Sequence, residues 1–168
     1  MVGHGEPSRT SPRADLDAGV VTEPELGEDD VIVLRRALAL VQGDLDRTVR
    51  GAVQFQVVVI PEPERGDWMA AYVAGPDGSY WSNHGHGLGA YGLDDAIAAV
   101  ADGVQEYLAA VQFEVWPVCP RHHLGVHVRP VGTCAGQPDP DPGFGGPAVW
   151  WCRADDGHDV ALIGRLGL

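Results

Sequence analysis

The sequence predicts an α+β fold: an antiparallel β-sheet with two helices in the order α-β-β-β-α, followed by a small Cys/His β module. Three observations carry this reading. Two long segments repeat apolar residues at helical spacing, and the stretch between them alternates apolar with polar residues at every second position. The end of the chain then gathers Cys119, Cys152, several histidines and Trp116, Trp150 and Trp151 around short extended runs.

Residues 1–29 are polar, acidic and punctuated by Pro and Gly, a composition that predicts a disordered tail. The first helix follows in "VIVLRRALALVQGDLDRTVRG", where Leu34, Leu38, Val41, Leu45 and Val49 recur at helical spacing. Asp30 is its expected N-cap and Gly51 its expected stop, with Gly43 weakening the middle. Val53, Phe55, Val57 and Val59 then alternate up to a proline and predict a strand. "PEPERGD" supplies a turn into a partner strand, Trp68 to Gly75, and a third, shorter strand is expected at Ser79 to Ser82 after the "GPDG" turn.

The glycine-rich "NHGHGLGAYG" connects to the clearest helix, whose Leu93, Ile97, Val100, Val104, Leu108 and Val111 form one apolar stripe. Asp94 and Asp95 sit in its first turn, where the helix dipole favours carboxylates. "QFEVWPV" reads as extended and delivers Cys119. "HVRPV" (127–131) and "AVWWC" (148–152) read as two strands, and "DDGHDVALIG" turns back into a third. The expected organisation is a tail over 1–29, an α+β domain over 30–115 and the Cys/His module over 116–168.

The hairpin "QFQVVVIPEPERGDWMAAYVAG" and the helix "YGLDDAIAAVADGVQEYLAA" together resemble the HicB-like antitoxin fold across residues 53–111. That resemblance implies a sheet covered by one helix and a toxin as protein partner. Many members of that family carry a DNA-binding tail, where this chain has its Cys/His segment.

The net charge of −13 divides into −6 over residues 1–30, −6 over 31–117 and −1 over 118–168, and lysine is absent. A duplex-binding protein displays a basic stripe; none is visible, which argues against nucleic acid. The N-terminus lacks a secretory apolar stretch and no later run is long enough to cross a bilayer, so the expected location is cytoplasmic. Three cysteines in a reducing compartment favour thiol or metal chemistry over disulfides.

"CPRH" places Cys119 and His122 three apart on a tight turn, and mixed sulfur and nitrogen donors suit zinc. With Cys152 these are the leading ligand candidates. The fourth place is divided between His127, which antiparallel pairing of its strand would bring toward Cys152, and His158, five residues beyond Cys152 across a loop. His123 is the poorer alternative to His122, since adjacent side chains diverge on a strand. The segment resembles a zinc-ribbon-like module, and a metal suits a stretch with few apolar side chains of its own, mainly the tryptophans and "VALI". The bland alternative is that Cys152 is a small buried hydrophobe and that the histidines cap turns.

Other candidates carry less. Cys134 lies alone in a loop, with redox exposure or a conditional ligand as its minor alternatives. "GLGAYG" matches the G-x-G-x-x-G dinucleotide pattern, but "SYWSNH" before it is a poor central strand and Asp94 and Asp95 would repel phosphate. His84 and His86 have no cysteine or carboxylate beside them. Ser79 and Ser82 sit in no nucleophile elbow. The expected function is a non-enzymatic protein-interaction module, stabilised by structural zinc and acting on an unknown protein partner. The alternative is an antitoxin-like regulator, and a metal-dependent hydrolase ranks last because four protein ligands leave no place for water.

Overall fold

A computed structural model describes residues 26–62, 68–81, 87–89, 91–137 and 146–168. The fold is α+β, in the order α1 (Glu28–Thr48), β1 (Gln56–Pro61), β2 (Met69–Ala74), α2 (Leu93–Tyr107), β3 (His127–Pro130), β4 (Ala148–Cys152) and β5 (His158–Leu162). The first two strands form one antiparallel sheet and the last three another, in the order β3-β4-β5.

Helix α1 takes in Glu28 and Asp29, and its N-cap is Gly27. Asp30 sits one turn inside, where its carboxylate accepts the Gly27 N–H at 2.8 Å. The expected N-cap is thus an N3 residue reaching back to the cap, half of a capping box. The helix ends at Thr48, before Gly51, whose φ of 72° belongs to the following turn. One face of α1 buries Leu34, Ala37, Leu38, Val41 and Leu45 against α2, which contributes Ile97, Val100, Ala101 and Val104. After Tyr107 the chain continues α2 through one π-helical turn, Leu108–Gln112, and leaves it through Phe113 in the left-handed region at φ 56°.

Strands β1 and β2 pair in register from Gln56 opposite Ala74 to Pro61 opposite Met69. Phe55, Val57, Val59, Ala71 and Val73 belong to the same apolar cluster as the helices. The expected third strand is reduced to a single bridge, Ala74 opposite Tyr80. The turn that leads into it is held by Asp77, which accepts the Ser79 N–H, and Gly75 N donates to Ser79 O at 2.8 Å. Gly87 then lies so close to the sheet that a Cβ there would stand 2.8 Å from Ala70 Cβ. Gly87 serves this close approach and Gly92, at φ 142°, is the N-cap of α2, while the sheet before them is antiparallel rather than the parallel strand a dinucleotide fingerprint needs. Residues 1–25, Ser82, His84 and His86 lie outside the described residues.

The C-terminal strands do not pack alone. Trp116, Cys119, Val126, Val128, Ala148, Trp150, Cys152, Ile163 and Leu166 are buried in the cluster that also contains the helix stripes. The three tryptophans of this segment are core side chains: Trp116 and Trp151 are 6% exposed and Trp150 is 0%. Trp116 and Trp150 meet edge to face with ring centroids 5.0 Å apart, and each donates its indole N–H to α1, Trp116 to Thr48 Oγ1 at 2.9 Å and Trp150 to Asp44 Oδ2 at 2.8 Å.

Asp44 is fully buried and is the hub of this junction. Besides Trp150 it accepts the backbone N–H of Gly164 at 2.7 Å and of Leu166 at 2.8 Å, and it is paired with Arg47. The Arg47 guanidinium in turn donates to the carbonyls of Gly164 and Leu166. A carboxylate without water is costly unless every lone pair is used, and here four donors meet it.

Candidate metal centre

Two hairpins present the candidate donors. In the first, Val118 bridges Gly125, Cys119 N donates to Leu124 O and His123 N donates to Cys119 O, both at 2.8 Å. His123 adopts a left-handed φ of 56° to close this turn. The turn brings Cys119 and His122 together and sends His123 to the exposed side. Gln105 of α2 fixes the hairpin from below, its amide donating to the carbonyls of Trp116 at 3.0 Å and Val126 at 2.8 Å.

The second is the β4–β5 hairpin, in which Cys152 and His158 are directly opposed at the neck. Opposed residues share a face with Cβ atoms about 5 Å apart, close enough for one ion to span them. A bulge makes this pairing. Trp150 faces Ala161 while Trp151 faces Asp159, so Val160 is the extra residue. Without it the Trp150 register would carry on to set Asp159, not His158, against Cys152. Gly157 permits the turn at φ 82°, where any Cβ would overlap the Trp151 ring.

The hairpins converge so that donor atoms of Cys119, His122, Cys152 and His158 all lie within 4.8 Å of one another. Cys119 Sγ stands 3.6 Å from His122 Nδ1 and 3.6 Å from His158 Nε2, and Cys152 Sγ stands 3.5 Å from His122 Nδ1. Zinc bonds of about 2.3 Å to sulfur and about 2.05 Å to nitrogen, opened to the tetrahedral angle, place sulfur and nitrogen about 3.6 Å apart. The donor set and its spacing therefore fit a tetrahedral ion, and the cluster can bind a metal such as zinc.

Burial works against both thiolates. At Cys119 it is outweighed by the N–H groups of His122 and Arg121, by the Cys152 thiol and by the Arg121 charge, which together hold the thiol below its ordinary range. At Cys152 burial prevails over the Ala154 N–H, and the charges of Cys119 and Asp155 add to it, so that thiol is pushed up. Two buried sulfurs side by side thus resist being ionised together, and a cation between them would remove that conflict.

His122 turns Nδ1 toward the sulfurs, and its Nε2 lies 3.3 Å from Asp155 Oδ2. A carboxylate on the far nitrogen fixes the tautomer and ring plane of a metal-binding imidazole. Asp155 went unread in the sequence, although the "ADDGH" turn between Cys152 and His158 made a carboxylate near the ligands foreseeable.

His127 stands opposite Trp151, one residue short of Cys152, and so on the other face of β4 from that thiol. It is exposed and is not among the converging four. Cys134 is exposed in the loop after β3, its N–H bonded to Gln137 Oε1 at 2.9 Å, and does not join them either. Ser79 Oγ is engaged by Asp77 at 2.6 Å within the turn and lies 3.1 Å from the Tyr107 hydroxyl at the end of α2. No helix among the described residues is long and apolar enough to cross a membrane. No family model, no curated protein and no solved structure matches this chain, so nothing beyond the quoted residues supports the HicB-like resemblance of 53–111.

Proposed function

We propose that the protein is a non-enzymatic interaction module whose C-terminal segment is held by a structural zinc ion on Cys119, His122, Cys152 and His158, in a zinc-ribbon-like arrangement. The observation that carries this reading is the sulfur–nitrogen spacing of 3.5 to 3.6 Å among donors from two separate hairpins. Four protein donors fill a tetrahedral sphere, so the ion would cross-link the hairpins and present no position to a substrate. Its contribution would be to folding, because the four donors come together only when both hairpins are formed. The interaction half of the reading is supported by apolar side chains left open where the chain enters the first hairpin, with Phe113 88% and Val115 64% exposed.

Metal analysis of the full-length protein tests this. One zinc per chain is expected, and replacement by cobalt should give the intense visible bands of a four-coordinate sulfur–nitrogen site, unmoved by added anions. Cys119→Ser with Cys152→Ser should abolish both signals. Protein that binds no metal tightly would overturn the site, and a cobalt spectrum that shifts with anions would overturn its structural role.

A further inference from the structure

The hydrogen-bond parity of the first sheet can be worked out residue by residue. Glu62 N donates to Trp68 O at 2.8 Å and Pro61 is opposite Met69, so even-numbered residues of β1 point their N–H and C=O groups at β2. Odd-numbered residues point outward. Three observations agree with this parity: Phe55 N donates outward to Gln42 Oε1 at 3.0 Å, Pro61 has no N–H to leave unpaired on the outer side, and on β2 the odd-numbered Ala71 O accepts from Leu88 N.

The outer edge of β2 is therefore used by Leu88 and by the turn after Gly75. Among the described residues the outer edge of β1 is used only at its start, where the Gln42 amide imitates a strand by donating to Val53 O and accepting from Phe55 N. Among the described residues no strand pairs with Val57 or Val59 on that side. Exposed edges are commonly guarded by a charge, yet Ala52 to Pro61 contains none.

We propose that this edge pairs with the same edge of a second copy, giving a two-fold dimer with one continuous four-stranded sheet. The sequence is self-complementary about Val58. A two-fold axis there sets Val57 against Val59 of the second copy and Val59 against its Val57, and each of these pairs exchanges both N–H···O bonds. Val58 meets its own equivalent at the axis. Gln42 closes the rung at Phe55 and Pro61 cannot donate at the other end, so the open length matches what this pairing needs. A chain of net charge −13 resists self-association, and an uncharged strand is where two copies approach at least cost. Pairing also relieves a two-stranded sheet, which is marginal by itself. The proposal does not depend on the metal.

Light scattering on the full-length protein from about 1 to about 200 µM should show mass rising from 17.8 kDa to twice that value. Hydrogen exchange supplies the register. The Val57 and Val59 amides should be protected at high concentration and lose that protection at least tenfold on dilution, whereas Val58 and Ile60 amides stay protected throughout. Val58→Glu sets two carboxylates together at the axis and should hold the chain as a monomer with unchanged circular dichroism, while Val58→Thr keeps the dimer. A monomer across the whole range would overturn the proposal, as would a dimer whose Val57 and Val59 amides exchange at the same rate at both concentrations.

Discussion

Two carboxylates decide more than their number suggests. Asp44 has no water to fall back on, so Asp44→Ala leaves two backbone N–H groups, an indole and a guanidinium without their acceptor. The expected loss is about 3 to 5 kcal/mol in urea unfolding; a loss under about 1 kcal/mol would show that the hub carries little. Asp155 is 66% exposed, so its hold on His122 is softened by solvent. Asp155→Asn should weaken zinc by about tenfold, the lower end of what such partners contribute, as measured by chelator competition. These two residues also mark what the sequence hid. Cys119, His122 and Cys152 were legible because thiols and imidazoles near tight turns are few and their spacing is chemical. Asp44, in a polar stretch of a helix, reads as a solvated face, and only the return of Gly164 and Leu166 makes it internal. The choice between His127 and His158 depended on a bulge at Val160, a one-residue shift that periodicity does not encode.

At the scale of elements, both helices and the hairpins were legible, since period 3.6 and period 2 patterns are dictated by which face is buried. Ends were less so. Asp30 gave a capping signal that located the helix start to within a few residues but assigned the wrong role, because either Ncap or N3 can use a carboxylate. Of the expected third strand the described residues keep one bridge, Ala74 opposite Tyr80, directly after the turn that Asp77 holds. The β4–β5 hairpin depends on Gly157, which needs a positive φ and also lies beneath Trp151. Gly157→Ala should cost well over about 1 kcal/mol and weaken metal binding together with stability, because the same turn holds Asp155 and starts the strand of His158. Retained zinc affinity in that variant would separate the turn from the site. Thr48→Val tests the other side of the junction: removing the acceptor of the Trp116 indole should cost about 1 kcal/mol in the same unfolding measurement.

Across the whole molecule, the apolar cluster runs without a break from Leu34 of α1 to Leu166 near the C-terminus. The expectation that the last segment needs a metal rested on its few apolar side chains, and those side chains share one buried cluster with the stripes of α1 and α2 as well as packing on one another. A metal would then stabilise more than its own hairpins. Trp116 and Trp150 join the tail to Thr48 and Asp44, so loosening the hairpins withdraws partners from the end of α1. For free zinc about a thousandfold above its dissociation constant, mass action contributes about 4 kcal/mol. In a chain of 168 residues that corresponds to about 8 to 16 °C in melting temperature. Chelation should therefore lower a single transition seen together by helical circular dichroism and by tryptophan fluorescence. A different result is equally readable: if the fluorescence change moves by that amount while the helical signal melts where it did before, the tail and the helices unfold separately, and the Asp44 junction does not couple them.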